Sequence, residues 1–113
     1  MPFIDSKVTM ELSKEKRETI KSELGKAVSI LGKGESFLMV GFEDNYDLYF
    51  GGNALKLGAF VSVKVFGQVD SASSERFTAE VCRIYKEQLG IPGDAIYITY
   101  QGFSDWGWNG RNF

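Results

Sequence analysis

Residues 57–100 read LGAFVSVKVFGQVDSASSERFTAEVCRIYKEQLGIPGDAIYITY, and this stretch decides the fold. Leu57, Ala59, Val61, Val63 and Val65 alternate with Phe60, Ser62, Lys64 and Phe66, the period of a strand over 57–67. Asp70 to Ser74 is a polar cluster suited to capping a helix. Phe77, Val81, Ile84 and Tyr85 then fall on one face of that helix. Gly90 supplies its stop, with Pro92 just beyond. From Ala95 to Tyr100, the alternation of Ile96, Ile98 and Tyr100 with Tyr97 and Thr99 gives another strand. The order is strand, helix, strand. Such a βαβ unit sets its strands parallel, with the helix on one face.

The first half repeats that order. Residues 2–9 read as a strand through Phe3, Ile4 and Val8. Ser13 is the N-cap candidate of a helix, with Glu15 and Glu18 near the positive end of its dipole. Ile20, Leu24, Ala27, Val28 and Leu31 form its buried stripe, and Gly32 ends it, with Lys26 and Lys33 near the negative end. The apolar run Phe37–Phe42 reads as a buried strand. Leu31-Gly32-Lys33 and Leu89-Gly90-Ile91 occupy equivalent places in the two halves. The expected fold is therefore α/β (α+β): duplicated βαβ units forming a four-stranded sheet with two helices on one face. The other face would be bare, and Val, Phe and Tyr side chains are expected on it. A large apolar face does not stay in water, so an oligomer is expected to cover it. Glu43, Asp44 and Asp47 read as a solvated turn. Leu48-Tyr49-Phe50 and Trp106-Gly107-Trp108 are short extra strands available to neighbouring subunits.

The 113 residues suit one domain over 1–113, and 43% hydrophobic residues suffice for a core. A net charge of −2 speaks against a nucleic-acid footprint. No apolar run approaches the roughly 20 residues of a membrane span, and no secretory signal is recognisable. The expected location is cytoplasmic, with export by a route that uses no signal peptide left open. The chain has no histidine, which removes Ser-His-Asp and Cys-His catalysis and nearly every zinc enzyme. Its one cysteine, Cys82, forms no intrachain disulfide and reads as a small core residue of the second helix. No metal or cofactor is expected.

The remaining chemistry rests on few groups. Removal of Met1 would leave Pro2 with a free secondary amine, a capable base whose ordinary pKa would lie near about 8. Burial or a nearby cation would push it toward neutral. Alternatively, Pro2 is only a common second residue. Lys33 stands where it could bind a carboxylate, or is simply a lysine favoured by the helix dipole. Trp106, Trp108 and Phe113 either plug a core edge or line an aromatic pocket.

With these residues in place, the chain resembles macrophage migration inhibitory factor and its relatives in the tautomerase superfamily. The likeness rests on Pro2-Phe3-Ile4, Leu31-Gly32-Lys33, Phe50-Gly51-Gly52, Leu89-Gly90-Ile91-Pro92, Ile96-Tyr97-Ile98-Thr99-Tyr100, Trp106-Gly107-Trp108-Asn109-Gly110 and Phe113. It implies a homotrimer whose three sheets form a barrel, and a keto–enol tautomerase acting on phenylpyruvate-like 2-keto acids. Pro2 would be the general base and Lys33 the carboxylate anchor. Tyr97 of a neighbouring subunit would line the pocket with Trp108 and Phe113. Phe37 and Phe66 fall at pocket-lining positions. Thr99 stands where the family often has an asparagine that helps bind substrate, and Trp106 where an aliphatic residue is common, narrowing the mouth. Gly58 and Val61 replace the CxxC-type pair, so thiol–disulfide exchange is not expected. The resemblance also admits a second reading, a cytokine-like protein that binds a protein receptor, with vestigial or no tautomerase activity.

Overall fold

The computed structural model describes residues 2–113. The expected removal of Met1 therefore concerns a residue outside those described. Strand β1 (Pro2–Val8) leads to helix α1 (Lys14–Ala27), whose N-cap Ser13 accepts a hydrogen bond from the Lys16 backbone N–H. The helical stripe continues to Leu31, as its periodicity requires, but residues 28–31 tighten into a 3-10 turn. Gly32, at φ +73°, then ends the helix in the left-handed conformation that favours glycine. Strand β2 is Met39–Glu43, and a short hairpin joins β3 (Tyr49–Phe50) to β4 (Asn53–Ala54). Strand β5 (Ala59–Phe66), helix α2 (Ser71–Leu89) and strand β6 (Ile96–Phe103) form the second βαβ unit. The Asp70 carboxylate caps α2 through the Ser73 N–H, which holds its pKa below the usual carboxylate range. Strands β7 (Gly107–Trp108) and β8 (Arg111–Asn112) make a terminal hairpin.

The four-stranded sheet has the order β2-β1-β5-β6. The β1–β2 and β5–β6 pairs are parallel, and β1 meets β5 antiparallel. Period-2 alternation decides which side chains meet the helices. Ile4, Val8, Ala59, Val61, Val63 and Val65 are buried in one core with Ile20 and Leu24 of α1 and Phe77, Val81, Ile84 and Tyr85 of α2. Each fully buried Val, Leu, Ile or Phe side chain contributes about 1.5–3 kcal/mol. Ser6 is the one buried polar residue among those described, and its hydroxyl is hydrogen-bonded to the Tyr85 hydroxyl. Burial pushes the Tyr85 phenol up to about 12, against the lowering effect of that hydrogen bond.

Several expectations need correction. The apolar run does not form a buried strand from Phe37. Residues 35–37 are a 3-10 turn, and β2 lies at the sheet edge with Met39 exposed. The open sheet face carries the expected Phe and Tyr side chains but not the valines. The valines of β5 all turn toward the helices, leaving Phe3, Met39, Phe60, Phe66, Tyr97 and Phe103 among Asp5, Lys7, Ser62, Lys64, Thr99 and Gln101. The short strands form two-stranded hairpins within the chain, and each hairpin keeps an unpaired outer edge that a neighbouring subunit could meet. Asp44 is more than a solvated turn residue: its carboxylate accepts from the Leu12 N–H and from Arg17, both at 2.9 Å. The backbone hydrogen bond first, and then Arg17, hold its pKa below the usual range. The turn after β2 is thereby fastened to the start of α1.

Candidate active site

Pro2 is buried at the beginning of β1, opposite Val65 of β5. The next residue of β5, Phe66, has its carbonyl oxygen 2.9 Å from the Lys33 Nζ. The half-buried Lys33 ammonium donates there, and among the described residues no carboxylate forms an ion pair with it. The left-handed turn at Gly32 directs the chain from α1 back across the sheet end, which brings Lys33 to this carbonyl. One strand end thus gathers the first residue of β1, a cation and the Phe66 ring.

The tail completes this end of the molecule. The Phe113 N–H donates to the Trp106 carbonyl at 3.0 Å, closing the β7–β8 hairpin back on itself. The Trp108 and Phe113 rings stack at 5.8 Å with 7° between their planes. Phe37 meets Trp108 edge-on at 5.2 Å, and Phe66 lies 5.8 Å from Phe113. Offset and edge-on contacts of this kind are the favoured aromatic geometries. The tail therefore lines a pocket rather than plugging the core, since Trp108 remains 53% exposed and Phe113 45%. A cavity of about 380 Å³ lies between Ser36, Phe37, Leu38, Met39, Trp106, Trp108 and Phe113. Trp106 forms one wall and packs on Phe103 at 5.9 Å.

Two candidate residues lie elsewhere. Tyr97 is opposite Phe60 on β5, while Pro2 is opposite Val65. The separation along β5 is roughly 16 Å at the usual strand rise. Tyr97 packs instead on Phe50 at 5.3 Å and Phe60 at 6.5 Å, and 59% of its surface is open. Thr99 is exposed on the open sheet face, opposite Ser62. One chain thus sets Pro2, Lys33 and Phe66 at one strand end, joins them through the Phe66–Phe113 contact to the cavity of Phe37, Trp106, Trp108 and Phe113, and leaves Tyr97 and Thr99 at a distance.

A family model described as macrophage migration inhibitory factor (MIF) matches residues 1–113. The chain belongs to the MIF family. A MIF homologue of Trichuris trichiura is 30% identical over 96 residues, which cover 83% of each chain. Among solved structures, MIF2 of Leishmania major has a TM-score of 0.93 at 31% identity, covering 100% of this chain and 97% of that one. The MIF homologue of Prochlorococcus marinus has a TM-score of 0.88 at 27% identity, covering 98% of each. The fold is accordingly that of the MIF/tautomerase superfamily, the mixed α+β arrangement expected from the sequence. Among the described residues no helix is long and apolar enough to cross a membrane.

Sequence reading missed some residues that line this cavity. Ser36, Leu38 and Met39 line the cavity because the 3-10 turn, not a strand, carries the chain into β2. The Gly34-Glu35-Ser36 run before Phe37 was the available signal, since it delays the start of a strand.

Proposed function

We propose that this chain is a keto–enol tautomerase of phenylpyruvate-like 2-keto acids, working as a homotrimer with Pro2 as the general base. The carrying observation is the convergence at one strand end: buried Pro2, the Lys33 ammonium on the Phe66 carbonyl, and the Phe37–Trp108–Phe113 rings. Once Met1 is removed, the neutral Pro2 amine takes a proton from the carbon α to the substrate carbonyl. The resulting prolinium returns a proton at the enolate oxygen. Transfer by a positioned acid–base group is worth roughly 10²–10⁴-fold. Lys33 pairs with the substrate carboxylate, and the aromatic ring packs among Phe37, Phe66, Trp106, Trp108 and Phe113. The exposure of Tyr97, remote from Pro2 in its own chain, supports a pocket shared between subunits, with Tyr97 and Thr99 supplied by the neighbour.

Intact mass separates protein that has lost Met1 from protein that retains it. The processed form turns over phenylpyruvate, with kcat/KM falling below a pKa well under the usual α-amino value of about 8. The Met1-retaining form folds but is nearly inactive, because its proline nitrogen is an amide. Pro2→Gly keeps weak activity through its primary amine. Equal activity with and without Met1 would remove Pro2 as the base, and the receptor-binding reading would take its place.

A further inference from the structure

Gly102 lies within β6, where glycine weakens a strand and needs a reason. Its φ is not in the left-handed region, so conformational freedom is not that reason. Clearance is. A Cβ on Gly102 would stand 2.1 Å from the Gly67 carbonyl oxygen, 3.2 Å from the Gly67 carbonyl carbon and 3.4 Å from the Gln68 Cα. All three are backbone atoms, so no change of rotamer relieves the clash. Gly67, at φ +89°, folds the chain leaving β5 down onto this spot.

The peptide unit just before is held at both ends. Its N–H, from Gly67, donates to the Phe103 carbonyl at 2.8 Å, and its carbonyl, from Phe66, accepts from Lys33 Nζ at 2.9 Å. The same Nζ lies 3.8 Å from where a Gly67 Cβ would stand. A side chain at 102 must drive the Gly67 carbonyl back by about 1 Å, since real Cβ contacts under 3.0 Å essentially do not occur. That carbonyl shares the Gly67 Cα with the Phe66–Gly67 peptide, so the displacement bears on the seat of the ammonium.

The geometry points to Gly102 as a positioning residue for the Lys33 carboxylate anchor, an assignment that rests on the tautomerase reading. Gly102 touches neither Lys33 nor the site where substrate would sit; it acts through the Gly67 turn.

The test compares phenylpyruvate with its uncharged methyl ester in processed protein. Gly102→Ala raises KM for the acid about tenfold, the worth of a charge-assisted hydrogen bond, and leaves kcat and the ester KM nearly unchanged. In a Lys33→Ala background the same substitution adds nothing, because the two changes remove one interaction. Gly93→Ala, at a glycine whose Cβ would meet nothing within 4 Å, is silent. Should Gly102→Ala fail to fold, Gly67→Ala disturbs the same carbonyl through backbone strain and gives the same split. Equal losses on acid and ester, or a penalty that adds to that of Lys33→Ala, would overturn the assignment. Wild-type protein that turns over neither substrate would instead sink the tautomerase reading itself.

Discussion

Replacing Lys33 with alanine isolates the binding half of the proposed reaction. An ammonium carries three donors. In this structure one is given to the Phe66 carbonyl at 2.9 Å. The other two are available to a carboxylate, and no acidic side chain among the described residues competes for them. Lys33 is half-buried, which weakens screening by solvent. A hydrogen bond to a charged group under these conditions is worth about 1.5–3 kcal/mol, or a KM rise of about 10- to 150-fold for phenylpyruvate. The ammonium pairs with the carboxylate in the ground state and in the transition state alike, so KM should rise more than kcat falls. The uncharged methyl ester cannot pair with the ammonium and should be indifferent to the substitution. Steady-state rates on acid and ester, with circular dichroism to confirm folding, supply the comparison. Equal losses on both substrates would refute the anchor and return Lys33 to the role of a lysine at the end of a helix.

Two further outcomes follow from the core and the assembly. Tyr85→Phe leaves the buried Ser6 hydroxyl without its partner and should cost about 1–3 kcal/mol in urea unfolding, most of it recovered in Ser6→Ala/Tyr85→Phe. The native phenol is raised from 10.0 to about 12, so its stabilisation is complete below pH 10 and is lost as pH climbs toward 12; the double variant should show a shallower alkaline decline over that window. Light scattering should give a particle of about 38 kDa, three 12.6 kDa chains, and a stable monomer at micromolar concentration would end the shared-pocket model.

The sequence made the covalently local features plain. Ser13 and Asp70 are capping side chains, Gly32 and Gly90 are left-handed stops, and both act within a few residues of their own position. The two helical stripes and the alternation in β5 were legible for the same reason, since each reports one face of one element. The fate of Phe37–Phe42 was not. An apolar run records that burial is needed somewhere but not by what, and in this chain it forms a half-buried edge strand, Leu38, Val40 and Phe42 packing on the core, preceded by a turn. Asp44 was obscured in a similar way, because its partners Leu12 and Arg17 come from a segment far back in the chain.

The candidate site divides along the same line. Lys33, Trp108 and Phe113 were recognisable as residue types, yet the Phe66 carbonyl that receives Lys33 is a backbone atom and has no letter of its own in the sequence. Gly102 is the sharper case. Read locally, it is a defect in a strand, because its reason lies in the Gly67 carbonyl across the sheet edge. Tyr97 shows the remaining gap: it lies most of the length of β5 away from Pro2, so the proposed pocket can use it only from a neighbouring chain. A second copy placing Tyr97 against Phe37 and Trp108 would bury three rings that one chain leaves 48% (Phe37), 53% (Trp108) and 59% (Tyr97) exposed. In the proposed homotrimer that burial would couple assembly to the site, so a surface change that keeps the chains apart should abolish turnover even with Pro2 and Lys33 intact.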